Sequence, residues 1–308
     1  LEKVGIVGGG SVGLLLASYL SKSGFHVTIY TKTDEQANKI NKMGVTLESG
    51  MSLTRVSVKS VTFSKIKEFN DDILFLAVKQ YNLNEVLSTL QNLKGKVSTV
   101  VFMQNGMSHI KDLNKLISKA DNVYVGIVEH GALKKTPTDV KHTGIGVLKI
   151  GCYFQNENGN CPVHIWKRLS EVGFLTEVHD NWMEIMEKKL VVNGVINPLT
   201  AIYKVTNGSL LTNNYYFETM KLLFEEISSI YKCTEEDWQQ IIEICHKTSQ
   251  NRSSMLKDLE DGRTTEIEAI TGVILDKAKK SGVHLPYNQF LYNSIKGMEL
   301  QREEGGYE

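Results

Sequence analysis

Apolar positions follow two different rhythms along this chain, and the change between them comes near residue 181. Before that point they gather in short runs. Val4, Ile6 and Val7 read as a buried strand, His26–Tyr30 as a second, and the unbroken runs 73–78 (ILFLAV) and 97–103 (VSTVVFM) as strands covered on both faces. Residues 124–129 and 146–150 read as later strands, with a polar turn over 155–160. From Asn181 a 3.6-residue period takes over, predicting helices at 182–203, 215–232, 235–247, 265–281 and 286–302. No low-complexity linker separates the halves, so two domains, 1–180 and 181–308, are expected to meet at a close junction with a cleft.

The first strand runs into GGGSVG, with Gly8, Gly10 and Gly13 in G-x-G-x-x-G spacing and an apolar helix following. Strand, glycine turn and helix in that order suit the pyrophosphate of a dinucleotide. Gly8 allows the tight turn, Gly10 lets backbone approach phosphate, and Gly13 lets helix pack on strand. Gly9, Ser11 and Val12 complete the expected cofactor loop, and the competing reading is a glycine turn without a ligand. The same glycines would interrupt the apolar core of a secretory leader, which the basic Lys3 otherwise imitates. The predicted fold class is therefore α/β, a Rossmann-type dinucleotide-binding domain followed by an all-α domain.

Three strand ends carry candidate ligand contacts. An acidic residue after the second strand would mark NAD; here Thr31-Lys32-Thr33 stands instead, which favours the 2′-phosphate of NADP, unless Thr33 or Asp34 serves only to cap the next helix. Lys79 and Asn105 end the third and fourth apolar runs, where the crevice of an open α/β sheet lies. A solvated lysine and a turn-forming Asn-Gly are the plainer alternatives.

Charge narrows the partners. The 35 basic side chains balance the 35 acidic ones with no long basic block, so a small-molecule substrate is expected and nucleic acid is not. No window of 18 apolar residues offers a membrane span. Four cysteines without a zinc spacing fit reduced thiols in a cytoplasmic protein, and no metal is expected. Apolar helix faces leave a homodimer possible.

The first helix of the second half carries Lys189, Asn193 and Asn197 at i, i+4 and i+8 on an otherwise apolar surface. Such a stripe must line a cleft or find internal partners, and Pro198 is expected to interrupt the helix one turn later. Further on, Thr265 and Glu268 have capping-box spacing, which would put Glu266 at the positive start of a helix. There it either serves a site or merely favours the helix dipole.

Taken together, GGGSVG, FMQNGM at 102–107, KKLVVNGVINPLTAI at 188–202 and NRSSMLKDLEDGRTTEIEAITG at 251–272 resemble the ketopantoate reductase family over nearly the whole chain. The resemblance implies NADPH-dependent reduction of 2-dehydropantoate to (R)-pantoate in pantothenate biosynthesis, with substrate and nicotinamide meeting in the cleft. It implies that Lys189 is the general acid and that Asn193, Asn197 and Ser254 hold substrate, supported by Asn207 and Asn251. Asn105 would contact both ligands, and Lys79 and Glu266 the cofactor, Glu266 also lying near the reacting centre. Gly131-Ala132 would line the nicotinamide end. Some members carry arginine where this chain has Thr31-Lys32, which weakens the expected NADP preference because lysine lacks the bidentate fork. The alternatives are a related dehydrogenase of another oxo or hydroxy acid, and a non-catalytic NADP-sensing protein.

Overall fold

The computed structural model describes residues 2–157, 159 and 161–304. They form two compact units: residues to Gln104 with His109–Ile185, and Asn105–Ser108 with Met186 onward. In chain order the first unit contains β1 (Lys3–Val7), α1 (Ser11–Lys22), β2 (His26–Thr31), α2 (Asp34–Met43), β3 (Val45–Ser49), β4 (Ser52–Val56), β5 (Lys59–Thr62) and β6 (Ile73–Leu76). It continues with α3 (Gln80–Asn92), β7 (Val97–Phe102), β8 (Ala120–Val128), β9 (Gly131–Lys134), β10 (Asp139–Gly144), β11 (Leu148–Gln155), α4 (Val163–Glu171) and β12 (Thr176–His179).

The main sheet has the order β12-β11-β8-β7-β6-β1-β2-β5. It is parallel from β5 to β8, and β11 then runs antiparallel to β8. Every residue of β6 is buried, which is why its sequence is apolar without alternation. Strand order reverses between β1 and β6, so the loop after β1 opens at a topological switch point, the usual place for a ligand in such sheets. One boundary differs from expectation. β11 runs on to Gln155, where a turn was expected, because antiparallel pairing with β8 extends it to Asn122; Asn158 and Asn160 of that turn lie outside the described residues.

A second sheet, β4-β3-β10-β9, was not expected from the sequence. Its strands are short and half polar, and only Val45, Leu47, Val56 and Val140 bury apolar side chains. A buried polar chain ties it to α1: Tyr19 Oη lies 2.7 Å from His142 Nδ1, His142 Nε2 3.2 Å from His130 Nδ1, and His130 Nε2 3.2 Å from the Leu175 carbonyl. The carbonyl can only accept and the Gly146 N–H, 3.2 Å from His130 Nδ1, can only donate. Both imidazoles are thereby held neutral with the proton on Nε2, and Tyr19 donates to His142. Burial pushes His130 down to about 4 and lowers His142 as well.

The second unit is helical, with α5 (Trp182–Tyr203, its first turn grouped with the first unit), α6 (Ser209–Thr212), α7 (Asn214–Tyr231), α8 (Glu235–Lys247), α9 (Ser254–Glu260), α10 (Val273–Lys280, preceded by a π turn over Glu268–Gly272) and α11 (Pro286–Glu304). Gly194 sits where α5 is crossed closely: a Cβ there would lie 2.7 Å from Ile274 Cδ1 and 3.2 Å from Ile227 Cδ1. Pro198 does not interrupt α5, contrary to expectation. The proline deprives the Gly194 carbonyl of its partner, but residues 194–201 are all buried, and Thr200 Oγ1 donates to the Ile196 and Asn197 carbonyls at 2.9 and 3.1 Å. Packing outweighs the proline defect here. No helix of the described residues is long and apolar enough to cross a membrane.

Candidate active site

In the first unit the glycine loop has the shape a dinucleotide needs. Gly8 has φ +118°, and a Cβ on it would lie 2.9 Å from the Ala77 carbonyl at the end of β6. A Cβ on Gly13 would lie 1.9 Å from the Gly8 carbonyl, so only hydrogen fits between loop and helix. Over Gly10 nothing stands within 4 Å, which leaves room on the outer side. Gly10 caps α1 with backbone alone, with no side-chain bond and no acidic residue in the first turn, so the N–H groups at that helix start are available to an anion. Gly9 lies in the same loop, and Ser11 and Val12 begin α1.

The surrounding residues fall unevenly. Thr31 is buried and donates its hydroxyl to the Thr33 carbonyl at 3.0 Å, while Thr33 caps α2 by accepting from Gln36 N–H at 3.3 Å. Lys32 is exposed at the end of β2. Lys79 is half-buried, immediately before α3 and past the end of β6. Ala132, half-buried on β9, pairs with His142 of β10.

In the second unit, Lys189, Asn193 and Asn197 lie on α5 as a stripe, the first two half-buried and Asn197 buried. One turn on, the Thr200 and Ser253 hydroxyls lie 2.8 Å apart in a hydrogen bond, which ties the stripe to the start of α9. Ser253 caps α9 by accepting from Leu256 N–H, and Ser254 is the first, exposed residue of that helix. Asn207 is bound to the same region: its N–H donates to the Asn251 carbonyl at 2.9 Å and its Nδ2 to Thr248 Oγ1 at 2.8 Å, leaving Oδ1 buried without a partner.

Asn105 and Glu266 meet directly. Asn105 Nδ2 donates to Glu266 Oε2 at 3.1 Å, and Glu266 is buried. The contact depends on Gly106, whose φ of +74° lets the chain press onto α10's preceding turn; Met107 N–H donates to the Ala269 carbonyl at 3.0 Å. The capping box expected beside it is absent. Thr265 instead donates both N–H and hydroxyl to Glu299 Oε1 at 2.7 Å, and Glu268 accepts from Tyr292 Oη at 2.5 Å. A carboxylate and a phenol brought by α11 satisfy groups that local spacing alone would have paired.

Residues 4–155 match the family model described as ketopantoate reductase PanE/ApbA, and 181–299 match its C-terminal counterpart. The chain belongs to the ketopantoate reductase family. It is similar to 2-dehydropantoate 2-reductase of Bacillus subtilis (strain 168), 41% identical over 96% of this chain and 97% of that one. The Listeria monocytogenes enzyme of the same name is 34% identical over 96% and 97%. A crystal structure of the probable 2-dehydropantoate 2-reductase panE from Bacillus subtilis superposes with a TM-score of 0.80 at 39% identity, covering 96% of this chain and 99% of that one. Membership places the chain among oxidoreductases.

Three residues around this reductase's glycine loop carry no mark in the sequence. Gln36 Nε2 and Lys134 Nζ both donate to the Gly9 carbonyl, at 2.8 and 2.9 Å, and Lys134 N–H donates to Ser11 Oγ at 3.2 Å. Gln104 Nε2 holds the end of β6 through the Leu76 and Val78 carbonyls, with its Oε1 buried and unpartnered. Each acts across 26 residues or more, beyond the reach of any local pattern.

Proposed function

We propose that the chain catalyses NADPH-dependent reduction of 2-dehydropantoate to (R)-pantoate, with Lys189 as general acid. The observation that carries this reading is the Lys189, Asn193 and Asn197 stripe on an otherwise apolar helix, in a chain whose full-length relatives bear that reaction's name. The bound dinucleotide would supply hydride. Gly8–Gly13 would hold its pyrophosphate, Ala132 would flank the nicotinamide, and Lys79, Asn105 and Glu266 would make further cofactor contacts. Thr31 spends its hydroxyl proton on the Thr33 carbonyl, so Lys32 is the cation left at the end of β2 to favour a 2′-phosphate.

On the substrate side, Asn193, Asn197 and Ser254 hold the oxo acid, and Asn207 and Asn251 brace that region. As the ketone is reduced, negative charge gathers on its oxygen. The Lys189 ammonium stabilises that charge and delivers the proton. Glu266, fixed by the Asn105 amide, orients groups near the reacting carbon. The test is Lys189→Ala. Turnover of 2-dehydropantoate is expected to fall on the order of 10²–10⁴-fold with NADPH affinity retained. Turnover within a few-fold of the parent removes the general-acid role, and a parent that oxidises NADPH with other oxo acids but not with 2-dehydropantoate removes the substrate assignment.

A further inference from the structure

We propose that the Lys134 ammonium is a phosphate contact of the dinucleotide site, closing the glycine loop from the side of the second sheet. The inference rests on the reading that this loop holds a dinucleotide, and it adds a residue that neither the glycine motif nor the family resemblance assigned.

Lys134 is the last residue of β9. Its N–H is tied to Ser11 Oγ and its Nζ to the Gly9 carbonyl, so both ends of the residue are fixed against the loop. Gln36 donates to the same carbonyl, which fills the acceptor sites of Gly9 and leaves no further acceptor there for the ammonium's remaining protons.

The placement has the wrong sign for a structural lysine. α1 starts at Ser11, and the positive end of a helix favours anions; a cation belongs at the other end. Lys134 is half-buried, and among the described residues its ammonium has no carboxylate partner, so burial lowers its pKa unopposed. Glu48, on β3, takes the neighbouring Lys135 and also Lys141, and Asp139, next to the β10 residue that pairs with Lys134, accepts from Thr136 Oγ1. The chain thus pairs Lys135 and leaves Lys134 facing a second positive group.

Two like charges in a half-buried space repel, and an anion with several oxygens between them turns both into attractions. The open space over Gly10 gives such a group room. The chemistry that fits is a phosphate ester of the dinucleotide, either its diphosphate or the ribose phosphate of NADPH.

The experiment uses the full chain with Lys134→Met, which keeps the stem and removes the charge, and Lys134→Arg, which keeps the charge. Dissociation constants for NADPH and NADH are measured by calorimetry, and melting temperatures without ligand by circular dichroism. Lys134→Met is expected to weaken binding by about tenfold or more. Lys134→Arg should retain most of the affinity, and the ligand-free Lys134→Met should melt no lower than the parent because a repulsion has gone. Equal losses for NADPH and NADH assign the contact to the diphosphate; a loss confined to NADPH assigns it to the ribose phosphate. Unchanged affinity for both in Lys134→Met overturns the proposal, as does a comparable fall in ligand-free melting temperature in both variants, which would make the residue a structural tether. A parent chain that binds neither dinucleotide refutes the underlying reading of the loop instead.

Discussion

Replacing Gly106 with alanine tests whether the Asn105–Glu266 pair is set by backbone geometry. The residue has φ +74°, and its added Cβ would lie 2.2 Å from the Ala269 carbonyl oxygen and 2.7 Å from its carbon. Since Cβ atoms are essentially never found closer than 3.0 Å to such atoms, the loop after β7 must lift by close to an ångström. That displacement strains the Met107 N–H bond to Ala269, now 3.0 Å, and draws Asn105 away from Glu266, now 3.1 Å. A left-handed non-glycine residue costs about 1 kcal/mol, a backbone hydrogen bond about as much, and a hydrogen bond to a carboxylate about 1.5–3 kcal/mol. Partial relaxation leaves a loss of about 3 kcal/mol, or a fall on the order of 10 °C in melting temperature.

Gly262→Ala is the control. That residue also has positive φ, +66°, but nothing stands within 4 Å of its Cβ, so it carries the left-handed cost alone. Thermal unfolding and steady-state NADPH oxidation of both variants are compared. Gly106→Ala should lose several times more stability than Gly262→Ala and lose turnover with it. If the two variants unfold together, or Gly106→Ala turns over substrate at the parent rate, the close approach at Ala269 does not hold the site.

Two further outcomes follow from the first unit. Gly13→Ala, whose Cβ would meet the Gly8 carbonyl at 1.9 Å, is expected to abolish dinucleotide binding while circular dichroism shows the sheet retained; parent-like affinity would mean the loop holds nothing. His130 sits near 4 in the folded chain against 6.5 when unfolded, so the unfolded state takes up more protons below 6.5. Its contribution is complete above pH 6.5 and is lost as pH falls toward 4, on the order of 2 kcal/mol by pH 5. Urea unfolding at pH 7, 6 and 5 should show this slope and His130→Gln should make it shallower, the buried His109 and His142 keeping the remainder; a level parent profile would contradict the neutral, proton-ordered chain from Tyr19 to Leu175.

What could be read from the chain was whatever is written locally. The glycine spacing after β1, the unbroken apolar runs of β6 and β7, and the stripe on α5 are each decided within about ten residues, and the structure shows the loop, the strands and the helix they describe. Where long-range groups compete, the local reading fails. Thr265 and Glu268 have the spacing of a reciprocal cap, but Glu299, 34 residues on, and Tyr292, 24 residues on, provide better partners. Pro198 should break a helix standing in water. Enclosed by α7 and α10 side chains, α5 has no competing conformation that buries as much.

The second sheet shows the same limit from the opposite direction. β3, β4, β9 and β10 are four to six residues long, with polar positions mixed among few apolar ones, so none of them announces a strand. They exist because α1 offers them a surface, and the cluster of Val45, Leu47, Val56 and Val140 with Leu15, Leu16 and Tyr19 is the common core. An element stabilised in this way is positioned by the helix it covers, and α1 is also the helix whose start carries the glycine loop. The sheet is therefore held in fixed register to the glycine loop, which is why a lysine at the end of β9 can reach the Gly9 carbonyl across 125 residues. Its role follows from that register, since a lysine after a weak strand has no chemical meaning until the strand is seen to end over a helix N-terminus.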